Sequence, residues 1–129
     1  MSVSESNYPA WLAEAENDLL NIQNNLAADH IPWDTICFLA QQAAEKLLKA
    51  FLVYHGRTFL RTHDLIALLA ICVEIDASLT GLEDDCRRLT HYAVGSRYPD
   101  DLYEPDESDA SGMVAAAYRV RSEILARLP

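Results

Sequence analysis
Residues 33–55, WDTICFLAQQAAEKLLKAFLVYH, are apolar around more than half of a helical circumference. Ile36, Leu39, Ala43, Leu47, Ala50 and Phe51 make one face, and Phe38, Leu48, Leu52 and Tyr54 widen it. Such a helix has to pack against several neighbours or across a dimer interface. Asp34 and Thr35 stand at its start, where side-chain acceptors cap free backbone N–H groups. Gly56 follows it, in the place of a left-handed C-cap residue.

The rest of the chain repeats the helical period. Nowhere do apolar and polar residues alternate over a strand length, and no Asn-Gly or Asp-Gly hairpin turn occurs. A first helix is predicted from near Pro9 to near Asp29, with the stripe Trp11, Leu12, Ala15, Leu19, Ile22 and Leu26. Glu14, Glu16, Asn17, Asp18, Asn21 and Asn24 form its wet side. A third helix begins near His63-Asp64 and has so little polar face that it should be central. After a break at 76–80, a fourth covers about 82–94, with Leu82, Cys86, Leu89 and Ala93 inward. Arg97 to Glu107 is an acidic loop with two prolines. A fifth helix runs from near Ser108, with Arg119, Arg121 and Arg127 in the half that the helix dipole prefers for cations. The expected fold is all-α: an up-and-down antiparallel bundle of four to five helices.

With 129 residues, half of them hydrophobic, the chain suits one domain with one core, about residues 8–128. A net charge of −10 argues against a broad basic face for duplex nucleic acid, but leaves room for a local basic pocket. Cys37, Cys72 and Cys86 have no metal-site spacing and read as small buried hydrophobes in a reducing compartment. The first residues lack a signal-peptide pattern. The longest dense apolar run, 65–73, is far short of the roughly 20 residues that span a bilayer. A cytoplasmic protein without membrane contact, metal or cofactor is expected.

Several polar side chains interrupt this apolar pattern. Glu45 and Lys49 are four apart, the order that favours a helix-surface ion pair. Lys46 lies beside buried neighbours; it either extends its head to water or enters a pocket. His63 and Asp64 suit a helix N-terminus, as a polar cap and a dipole-matched acid, or alternatively an anion-binding helix start. Arg57 and Arg61 make residues 56–64 locally basic, the natural place for a phosphate. Arg97 either bonds helix carbonyls and a nearby acid or forks onto a phosphate, with Tyr98 or Tyr92 stacking on a base. His91, on the fourth helix, is the candidate catalytic residue.

These junction residues, in this order, resemble the HEPN family (higher eukaryotes and prokaryotes nucleotide-binding), in its variety with a YAV–RYP pattern. The matching pieces are Ala40 to Lys46 with Leu48-Lys49-Ala50, then Thr62 to Leu65, then Leu89-Thr90 and Tyr92-Ala93-Val94 with Arg97-Tyr98-Pro99. The resemblance implies a helical bundle that forms homodimers and often pairs with a minimal nucleotidyltransferase, in some cases as a toxin–antitoxin couple. Some members are metal-independent ribonucleases with an Arg, four to six residues and a His on a late helix. Here only two residues separate Arg88 from His91, and three separate Arg87 from it. Arg57 and His63 fit the spacing but straddle a predicted loop.

Three functions follow. The first is a dimeric module that binds nucleotide or RNA through Lys46, His63, Asp64, Arg97 and Tyr98 and acts with a nucleotidyltransferase partner. The second is a ribonuclease using a His as acid or base. The third is a structural dimerisation module in which every charge serves a cap or a pair. The missing ribonuclease spacing favours the first over the second.

Overall fold
The computed structural model describes residues 7–59, 61–95 and 105–129, with side chains of 91–95 excepted. Five α-helices occupy them: α1 Tyr8–Leu26, α2 Trp33–Tyr54, α3 Leu65–Ile75, α4 Glu83–Gly95 and α5 Glu107–Leu125. A 3-10 helix, Ala77–Leu82, fills the expected break before α4. No strand occurs among the described residues, and the all-α bundle expected from the sequence is the fold.

The wide apolar girth of α2 has its predicted consequence. This helix packs against α1, α3, α4 and α5, and Ile36, Leu47, Leu48, Phe51 and Leu52 are shut away from water on its several sides. Its edges differ from expectation, since Phe38 and Tyr54 stay exposed at 44% and 41%. The central position expected of α3 belongs to α2 instead. With only 11 residues, α3 buries Leu65, Leu68, Leu69 and Cys72, while Ala67 and Ala70 face solvent. Mean apolarity is a property of the whole helix, whereas centrality requires neighbours on every side.

The helix ends follow from individual residues. Gly56 takes φ 66°, a conformation that costs glycine nothing. Its N–H donates to the Val53 carbonyl at 3.0 Å, and Arg57 N–H donates to the Leu52 carbonyl at 2.9 Å. This is the double closure of a Schellman turn. At the other end of α2, Pro32 is the N-cap and no side chain caps it; Asp34 instead accepts from Thr35 N–H at 2.8 Å. Asp106 and Asp109 form a reciprocal capping box at the start of α5.

The arginines of α5 do more than follow the dipole. Arg119 grips both oxygens of Asp85 on α4, and Arg121 reaches Glu16 on α1 at 2.6 Å. Two neighbouring helices are thus tied to α5, and Arg127, two residues beyond its end, reaches Asp76 at 2.7 Å. The three cysteines are buried and free, and burial pushes each thiol up to about 12. No helix among the described residues is long and apolar enough to cross a membrane.

Candidate functional site
Positions 41, 45 and 49 recur every four residues, so α2 lines them on one face. They meet the end of the loop between α2 and α3. Glu45 is the hub and is only 5% exposed. Its Oε2 accepts from Lys49 Nζ at 2.9 Å. Its Oε1 accepts from Gln41 Nε2 at 3.1 Å and contacts His63 Nδ1 at 2.8 Å. The Gln41 amide also reaches the His63 carbonyl, at 3.3 Å, and Gln42 donates to Gln41 Oε1 at 2.7 Å. Burial pushes the Glu45 carboxyl up, but hydrogen bonds from Lys49, His63 and Gln41, with the Lys49 charge, outweigh it and hold it below the ordinary value.

Lys49 is enclosed. Its ammonium lies 5.6 Å from the Trp11 ring centroid and 5.7 Å from that of Phe59, within range of attraction to both aromatic faces. The ion pair expected from the spacing is formed, buried and with aromatic walls. His63 differs from its partner: its side chain is 55% exposed while that of Glu45 is 6% exposed. The arrangement fixes one ring nitrogen inward and leaves the ring edge to solvent.

Asp64 caps α3. Its Oδ1 accepts from Ile66 N–H at 3.0 Å and Ala67 N–H at 3.3 Å, and its carbonyl takes Leu68 N–H at 3.2 Å. The Thr90 hydroxyl, from α4, takes Leu65 N–H at 2.8 Å. All four amides that open α3 are thus occupied from within the protein. A helix start binds anions through free amides, and this one has none to offer. Of the two expected roles for His63 and Asp64, the cap is the one realised by Asp64. Any anion here would have to be held by side chains.

Lys46 faces another way. It donates to Asp18 Oδ2 of α1 at 2.8 Å, and Asp18 is 7% exposed. Asp18 is therefore not on the wet side of α1, as its charge suggested. It lies within a turn of Ala15 and Ile22 on the buried stripe, and the Lys46 ammonium compensates it there. His63 meets Glu45 and Asp64 turns to the α3 amides, whereas Lys46 sits in a separate pair at the neighbouring register of α2. Arg97 and Tyr98 lie outside the described residues. The backbone of α4 carries His91 one residue beyond Thr90, at the end that meets α3; its side chain lies outside the described residues.

Gln41, Lys49, Trp11 and Phe59 complete this cluster without having been singled out as site residues. The spacing of Gln41, Glu45 and Lys49 was a visible signal; the aromatic walls come from distant elements and left none. Two clefts of about 360 and 260 Å3 lie elsewhere. One is bounded by Ser78, Asp85 and Arg119, the other by Trp33, Ile36 and Val114. The polar cluster has a buried root, Glu45, and an exposed edge, His63. Among the described residues, no group of three His, Cys, Asp or Glu could hold a metal ion.

A family model, the HEPN domain, matches residues 8–127. No curated protein and no solved structure matches the chain.

Proposed function
The chain belongs to the HEPN domain family over nearly its whole length, and from that membership we propose a module that binds nucleotide or single-stranded RNA at the α2–α3 junction. One observation carries the reading: a buried carboxylate, Glu45, holds a half-exposed imidazole, His63, in a fixed orientation at the surface. A histidine that served only as a cap would not need a buried charge behind it. Arg57 and Arg61 stand within six residues of it, a locally basic stretch in a chain of net charge −10. Arg97 would contribute a forked contact to phosphate and Tyr98 a stacking surface. Lys46 would join after leaving Asp18.

The module acts with a minimal nucleotidyltransferase and as a homodimer in this proposal. The exposed Phe38 and Tyr54 on α2 support a second copy as the natural cover for that helix. Sedimentation of the purified protein tests the dimer, and co-purification from the native host tests the partner.

Fluorescence anisotropy with a labelled oligouridylate tests the site. His63→Ala and Arg97→Ala are each expected to weaken binding about tenfold, the worth of one charge-assisted contact. A structural role for the same charges is favoured by Lys46 being neutralised on Asp18 and by the filled start of α3. Wild-type protein that ignores the oligonucleotide would select that structural role.

A further inference from the structure
We infer that His63 is a proton-gated anion receptor: its imidazolium form binds a phosphodiester of single-stranded nucleic acid, and its neutral form releases it. This rests on the reading that the α2–α3 junction receives an anionic ligand, and adds the control of that junction by pH.

The gate follows from which nitrogen carries the proton. Glu45 is held ionised by its three hydrogen-bond donors, and an ionised carboxylate only accepts. The 2.8 Å contact to Glu45 Oε1 therefore places a proton on His63 Nδ1. A neutral ring with its proton on Nδ1 shows a lone pair at Nε2, which repels a phosphate oxygen. Only the imidazolium shows an N–H there. The ring cannot easily turn its other edge outward. Turning it would take Nδ1–H away from Glu45 Oε1 and strip a buried carboxylate of a donor. An unrestrained surface histidine would choose the tautomer that suits its ligand; this one has the choice made for it.

Among the described residues, most charged groups near the ring are already paired. From α2 come Glu45 and Lys49, already paired, with Lys46 held by Asp18 of α1 beside them. From the loop come Asp64, engaged with α3 amides, Arg61, and Arg57, paired with Glu74 of α3. Glu74 is the first charged residue along α3. From α4 comes the neutral Thr90, whose hydroxyl is spent on Leu65. With the α3 amides filled, the start of that helix supplies no free donor to compete with the ring.

The test compares affinities for a hydroxyl-ended oligouridylate, whose phosphodiesters do not titrate, at two pH values chosen from the ring 15N spectra so that His63 is protonated at one and neutral at the other. Acidification will help any anion bind an acidic protein, so the readout is the ratio of the two affinities in wild type against His63→Gln. We expect the wild-type ratio to exceed the variant ratio about tenfold. Equal ratios with measurable binding overturn the gate and leave the binding reading standing. No binding at either pH overturns both. Ring 15N spectra of the wild type give an answer free of any variant. The neutral state should carry its proton on Nδ1, and a proton on Nε2 would overturn the gate.

Discussion

The Glu45 cluster and the Arg119 and Arg121 pairs of α5 are both built from opposite charges in contact at 2.6–2.9 Å, yet Glu45 and Lys49 are enclosed whereas the two arginines reach water. Around Glu45, the Lys49 and Glu45 side chains are 11% and 6% exposed. In the Arg119–Asp85 pair the arginine is 56% exposed, and in Arg121–Glu16 the two are 37% and 45% exposed. Water and salt already serve the second group, so losing a partner there costs little. The first group has only itself. Its net contribution over an apolar replacement is small, but removing one member strands another without solvent. Equal distances thus conceal unequal consequences.

The largest effect is expected from Glu45→Ala. Urea unfolding should show a loss of about 3 kcal/mol, the lower end for a broken buried pair because the Lys49 head can move toward water. Adding Lys49→Met to Glu45→Gln should restore at least half of the loss seen with Glu45→Gln alone. A double variant no better than the single one would mean that the carboxylate, not the stranded ammonium, carries the cost.

Acid comes next. The folded Glu45 value lies below its unfolded value of 4.5. Its contribution is therefore complete above about pH 4.5 and is lost as pH falls through the folded value. Thermal unfolding should fall off more steeply in that window for wild type than for Glu45→Gln; parallel curves would refute the assignment. Asp76, held to about 2 chiefly by hydrogen bonds from Ser78 and Arg127, shifts in the same direction from a half-buried position.

Smaller still is Asp64→Ala, expected to cost about 1 kcal/mol as a lost helix cap. It tests whether the start of α3 belongs with the enclosed region or the wet one. Should the variant gain affinity for oligonucleotide, freed amides are accepting phosphate. Arg119→Ala should change stability by less than about 1 kcal/mol, and even less in high salt. A loss comparable to that of Glu45→Ala would erase the distinction between the two regions.

What was legible in the chain was whatever a single helix decides for itself. The girth of α2, the stop at Gly56 and the acid at Asp64 are local, and the helices end near where those residues stand. Partners were harder. Asp18 and Lys46 are 28 positions apart, and nothing in either neighbourhood announces the other. Position 18 adjoins the apolar stripe of α1, which was the available hint. The same limit made α3 look central, because apolarity along a helix does not reveal how many neighbours surround it. Glu45 and Lys49 were paired correctly from their spacing, but spacing alone does not say on which side of the water boundary a pair lies. Trp11 and Phe59, which close that boundary, come from a different helix and a loop.

The hydroxyl of Thr90 on the first amide of α3 has a consequence in time. An amide at a helix start ordinarily exchanges its proton with solvent during brief fraying of its own turn. Leu65 N–H is latched by another helix, so its proton is released only when the end of α4 withdraws from the start of α3. Its exchange rate therefore measures how often those two helices part, and does so through one signal. Thr90→Val, nearly the same shape, should leave the fold in place and let that proton escape at the rate of α3 alone.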